Sequence, residues 1–113
     1  MNNFKEIFTP EEWTNVKENK TDELIIFKYS PICSISSSVE EDFDNWLSQL
    51  PKDKNISCVK VNVIDSRPLS RQIADELNVF HQSPQVIWLT NDKKVKWSAS
   101  HYDISINSLS KNI

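Results

Sequence analysis

Apolar residues fall along this chain in two rhythms. Leu24-Ile25-Ile26-Phe27 is a continuous run that reaches Tyr29, with Asn19-Lys20-Thr21-Asp22 before it and Ser30-Pro31 after it. A short apolar run between turn residues reads as a buried strand. Ile35, Val39, Phe43, Trp46, Leu47 and Leu50 then recur at three- and four-residue spacing until Pro51, which is one stripe of a long helix. Ile56 to Ile64 is the next strand, with Val59, Val61 and Val63 on one face. Pro68 opens a third helix carrying Leu69, Ile73 and Leu77, with Asn78 placed for a left-handed cap. Pro84 precedes the strand Gln85-Val86-Ile87-Trp88-Leu89. Asn91-Asp92 marks a turn, and Val95 to Trp97 returns as a hairpin strand.

The two ends are shorter. Thr9-Pro10-Glu11-Glu12 has the form of a helix start, with Thr9 as N-cap and Glu12 closing a capping box ahead of Trp13 and Val16. Phe4 to Phe8 can add a strand in front. Tyr102, Ile106, Leu109 and Ile113 are spaced as one face of a last helix, with Ser100 or Asp103 near its cap. Strands alternating with helices predict a parallel core, and the closing hairpin makes the sheet mixed.

Composition narrows the class. The chain has 113 residues, 38% of them apolar and 26% charged, as expected for one globular domain spanning 1–113. The run Leu24–Phe27 is too short to span a bilayer, so no membrane role is expected. Met1-Asn2-Asn3-Phe4-Lys5-Glu6 has no apolar stretch of signal-peptide type, which implies a cytoplasmic location. A net charge of −3 without basic blocks argues against nucleic acid as a partner. There is no glycine, which excludes every glycine-built phosphate loop. Two cysteines in a cytoplasmic chain are not a disulfide framework.

The chemistry centres on Tyr29-Ser30-Pro31-Ile32-Cys33-Ser34-Ile35-Ser36, which joins a strand to a helix. Sites in such sheets gather at the carboxyl ends of strands. Cys33 lies there, at or near a helix N-terminus, where unpaired N–H groups and the positive end of the dipole favour a thiolate, the reactive form. Ser34 and Ser36 can add hydroxyl donors. Capping boxes at Ser37 and Ser38 could instead start the helix later and leave Cys33 in a loop, and a small buried cysteine is the plainer alternative. Ser36 occupies the place of a second cysteine in a C-x-x-C pair, so a mixed disulfide on Cys33 must be released by another thiol. Cys58 lies near the start of its strand, while Cys33 lies past the end of a neighbouring one. That puts them roughly 15–20 Å apart, too far for a disulfide. His81 and His101 are too few for a metal site but border the Cys33 end, as does Arg67. Each is a solvated loop residue by default, and Arg67 an anion contact in the sharper reading.

These pieces together resemble the monothiol bacilliredoxin family of the thioredoxin-like superfamily. The resemblance is carried by Phe27-Lys28-Tyr29-Ser30, Cys33 to Ser36, Arg67-Pro68-Leu69-Ser70, Ile73-Ala74, His81-Gln82-Ser83-Pro84-Gln85 and Trp97-Ser98-Ala99-Ser100-His101. It implies an α/β fold: a three-layer α/β/α sandwich with a central mixed sheet of four or five strands flanked by helices. It also implies a cis Pro84 facing the cysteine, with the Ser83 backbone free to pair with an extended substrate. A plain strand-opening proline is the alternative.

The implied function is a thiol-disulfide oxidoreductase that removes bacillithiol, a small thiol of Firmicutes, from bacillithiolated client proteins under oxidative stress. Cys33 is the implied catalytic residue. Ser34, Ser36, Ser83 and Pro84 support it, and Lys28, Arg67 or His101 contact the malate carboxylates of bacillithiol. Bacillithiol is then a co-substrate, with no bound cofactor and no metal, and the protein is expected to be a monomer. The sequence departs from the commoner C-P-I-S pattern in having Ser34 after the cysteine, with Pro31 two residues before it. Two other classes compete. One is a redox-inactive thioredoxin-like binding module. The other is an iron–sulfur carrier of monothiol glutaredoxin type, although that family's glutathione-site motifs are missing.

Overall fold

A computed structural model describes residues 4–19, 22–51 and 53–113. The turn residues Lys20 and Thr21, and Met1 to Asn3, lie outside the described residues. The elements follow the order β1 (Phe4–Glu6), α1 (Pro10–Asn19), β2 (Glu23–Tyr29), α2 (Ser34–Ser48), β3 (Ile56–Asn62), α3 (Arg67–Leu77), β4 (Gln85–Leu89), β5 (Val95–Ser100) and α4 (Ile106–Ser110), with a 3-10 turn at His101–Asp103. The five strands form one sheet ordered β1-β3-β2-β4-β5. β1, β3 and β2 are mutually parallel, while β4 and β5 are antiparallel to their neighbours.

Strand alternation sends side chains to two faces and so builds two cores. Ile25, Phe27, Cys58, Val86 and Trp88 face α2 and α4. There Phe27 stacks on Phe43 at 4.5 Å between ring centroids, and Trp46 meets Trp88 edge-on at 5.7 Å. Leu24, Ile26, Val59, Val61, Ile87 and Leu89 face Trp13 of α1 and Leu69 and Ile73 of α3. The result is the expected three-layer sandwich, with five strands.

Local signals held at several ends. Thr9 Oγ1 accepts from the Glu12 amide at 3.1 Å, and the Glu12 carboxylate accepts from the Phe8 amide at 3.0 Å. Asn78 takes the left-handed conformation, φ 54°, and closes α3. The last helix differs from its sequence reading. α4 has five residues, and its cap is Ser105, whose hydroxyl and the Ser108 side chain form a capping box. His101 is left-handed, φ 54°, so the chain turns before the helix begins. Tyr102, Ile106 and Ile113 consequently stay exposed, and Ile104 with Leu109 fills the core instead. β5 also runs on to Ser100, three residues past the expected Trp97.

Candidate functional site

β2 and β3 end side by side at Tyr29 and Asn62, and the Val63 amide donates to the Tyr29 carbonyl at 2.9 Å. β4 enters from the same end in antiparallel register, Lys28 opposite Gln85, so one further step sets Pro84 against Tyr29. The His101 amide donates to the Pro84 carbonyl at 3.0 Å. Register alone therefore gathers Cys33, Arg67, His81, Ser83, Pro84 and His101 at one end of the sheet. The Ser83–Pro84 bond is cis, as the resemblance implied.

Cys33 is the N-cap of α2, in extended conformation with φ −109° and ψ 123°. Its amide donates to the Ser30 carbonyl at 3.4 Å and its carbonyl accepts from the Ser37 amide at 3.2 Å. The residue is half-buried and its thiol free. Among the described residues no hydrogen bond engages Sγ, which leaves the sulfur available to a disulfide. The helix thus starts at the earlier of the possible positions, with Ser34 as its exposed first residue.

Ser36 has a different job from the one first considered. Its side chain is buried, and Oγ accepts from the Ser30 amide at 2.9 Å. It fixes the loop that presents Cys33. Cys58 is opposite Ile25, four residues before the end of β2 and so about 13 Å along the strand from Tyr29. Burial in the α2-side core pushes its thiol pKa up. It is a core residue.

Lys28 is placed otherwise than a direct ligand contact requires. Alternation turns it to the α3 side, fully buried. Its Nζ donates to the Ser70 carbonyl at 2.9 Å and lies 3.5 Å from His81 Nδ1. Burial lowers its pKa to about 8, with the Asp75 charge pulling the other way. Ser70 Oγ is 3.2 Å from the same imidazole nitrogen. Burial, then the charges of Lys28, Arg71 and Arg67, hold His81 below the ordinary imidazole value. Lys28 can act on a ligand only through His81 and its field.

Sequence reasoning missed a second polar cluster on the α2 side. Lys60 Nζ pairs with Glu40 Oε2 and Asp44 Oδ1, each at 2.7 Å, and lies 4.0 Å from the Phe4 ring centroid. Burial opposes its charge, and the two carboxylates more than offset that, so its pKa is raised. Tyr29 Oη donates to Glu6 Oε2 at 2.7 Å. The signal was Lys60 between Val59 and Val61, an ionic side chain on the opposite face of a strand that is otherwise apolar. Two buried polar atoms flank the cis proline without partners among the described residues: Ser83 Oγ and Gln85 Oε1.

Among the described residues, no three metal-ligating side chains converge, and no helix is long and apolar enough to cross a membrane. Solved structures share this architecture along nearly the whole chain. A protein described as having a thioredoxin fold is 26% identical with a TM-score of 0.83, covering 96% of this chain and 92% of that one. Trxlp from Edwardsiella tarda is 16% identical, TM-score 0.74, with 96% of each chain covered. Mitochondrial thioredoxin 3 from Saccharomyces cerevisiae is 19% identical, TM-score 0.70, with 97% and 92% covered. The last two likenesses show the fold. The family model described as monothiol bacilliredoxin BrxC matches residues 5–109, from β1 into α4. A thiol-oxidoreductase character goes with that match, and the chain belongs to the monothiol bacilliredoxin family.

Proposed function

We propose that this chain removes bacillithiol from protein mixed disulfides by thiol-disulfide exchange at Cys33. The Cys33 thiolate attacks the bacillithiol sulfur of a modified protein. That disulfide breaks, the protein thiolate leaves and takes up a proton, and bacillithiol remains bonded to Cys33. The thiolate of a second bacillithiol attacks the bacillithiol sulfur of this adduct. Cys33 leaves as thiolate, and bacillithiol disulfide departs. The protein sulfur gains the electron that the second bacillithiol's sulfur gives up, and the first bacillithiol's sulfur stays at the disulfide level throughout, so electrons balance.

The observation that carries this reading is the isolation of Cys33. Ser36 holds the second position with its hydroxyl committed to Ser30, and Cys58 is in the core. Among the described residues no internal thiol can resolve an adduct, so a diffusible one must. The Ser83 backbone beside Pro84 would align an extended client, and Arg67 and His101, exposed at the same end, would meet the carboxylates of the small thiol. We place the reaction in the cytoplasm, where thiols are kept reduced, in a monomer with no bound cofactor. Incubation with a bacillithiolated peptide should give one bacillithiol adduct by intact mass, lost in Cys33→Ser and kept in Cys58→Ser. An adduct that persists in Cys33→Ser would overturn the assignment.

A further inference from the structure

Positive charge gathers on the α3 side of the Cys33 end with little to balance it. Arg67 and Arg71 stand one turn apart at the start of α3, both exposed, and neither forms an ion pair among the described residues. Lys28 lies beneath them from β2, tied to Ser70 of α3. His81 closes the group from the loop before β4. A cavity of about 650 Å³ opens here, and Arg71, His81 and the exposed ring of Phe80 line it. Asp75 is its one acidic lining residue, and β4 brings no ionisable group. The imidazole is held by one edge. Lys28 can only donate, so Nδ1 accepts, and the neutral ring carries its proton on Nε2. That N–H is the edge left for a ligand.

We propose that Arg67, Arg71 and His81 form an anion subsite that takes a carboxylate of the small-thiol co-substrate, with the Lys28 ammonium beneath as a fixed positive charge. The ligand's identity rests on the exchange reading; the site itself rests on the geometry. Two arginine forks and an imidazole N–H suit an oxyanion. An anion seated there also answers the three cations that now disfavour imidazolium. Binding must therefore raise the His81 titration midpoint, and must tighten as pH falls through it. Free inorganic phosphate offers the same chemistry from another source.

The test is an NMR titration of the His81 imidazole in the full chain, in sodium malate, sodium phosphate or sodium chloride at matched ionic strength. The expected result is a His81 midpoint higher in malate than in chloride by about half a pH unit or more. The difference should be lost in the double variant Arg67→Ala/Arg71→Ala. In turnover, Arg71→Ala should raise the KM for bacillithiol about tenfold while kcat changes little. Equal His81 midpoints in malate and chloride would overturn the subsite. So would a malate response that survives in the double variant. A response to phosphate but not to malate would overturn the carboxylate assignment. The titration needs no chemistry at Cys33 and can be run in Cys33→Ser. Failure of the exchange reading would appear separately, as an adduct that persists in that variant.

Discussion

Replacing Lys28 with methionine should stabilise this protein at neutral pH. The side chain is fully buried on the α3 side of the sheet, and its pKa falls from 10.5 to about 8 because burial penalises the ammonium. At about 1.4 kcal/mol per pH unit, keeping the charged form at pH 7 costs the fold about 3 kcal/mol. Methionine keeps the length and packing of the stem without the charge. The lost hydrogen bond to the Ser70 carbonyl returns about 1 kcal/mol of that, so a net gain of about 2 kcal/mol is expected at pH 7. The sign follows from linkage. Between pH 8 and 10.5 the unfolded lysine holds a proton that the folded one has released, so the wild-type fold gains stability as pH rises through that window. The advantage of Lys28→Met should shrink across it, pass through zero and reverse, leaving the wild type about 1 kcal/mol more stable near the upper end, where only the lost hydrogen bond still counts. Urea unfolding followed by tryptophan fluorescence at pH 7 and near 10.5, wild type against variant, measures this difference directly. A variant less stable than wild type at pH 7, or a difference independent of pH, would refute the reasoning.

Two further outcomes test the thiol geometry. Ser36→Cys places a second sulfur one turn after Cys33, on the buried side. The oxidised variant should form an internal disulfide and stop accumulating the bacillithiol adduct by intact mass, at a cost of about 1 kcal/mol for the orphaned Ser30 amide. An adduct retained at the wild-type level would mean that position 36 cannot reach Cys33. Iodoacetamide should label Cys33 alone in the native protein and Cys58 only in urea, because burial closes access to Cys58 and suppresses its thiolate. Native labelling of Cys58, read by peptide mapping, would contradict its place in the core.

The middle of the fold was legible because its signals are local. The run Leu24–Phe27, the stripe from Ile35 to Leu50 and the Asn78 cap each declare themselves within a few residues. The chain after Ser98 was not. Its spacing of Tyr102, Ile106 and Ile113 matches a helical face, yet a left-handed His101 and the Ser105–Ser108 capping box divide it. Cys33, and Ser36 in the resolving place, were visible as a motif. That the Ser36 hydroxyl serves the Ser30 amide was not, because only the folded loop brings them together. Lys28 shows the same limit more sharply. An ionic residue at the end of an apolar strand reads as a site contact, but the side it faces depends on alternation relative to α2 and α3. His81 joins it from 53 positions away, and nothing in the sequence pairs them.

The sheet has two unpaired borders, and their construction bears on how the protein behaves at high concentration. One border, β1, is only three residues long. The other, β5, is longer and presents a row of unsatisfied backbone groups of the kind that recruits further strands. Its pairing with β4 slips between Trp88 and Leu89, so the ladder is locally irregular. Lys96 stands at that irregularity, its amine 3.1 Å from Glu23 and 4.9 Å from the Trp88 ring centroid. Lys93 and Lys94 crowd the turn just before it. A second copy adding its own β5 there would have to bring these charges together along a bent template. The border thus discourages stacking into fibrils, which suits a protein whose proposed work is to meet one client after another and let each go.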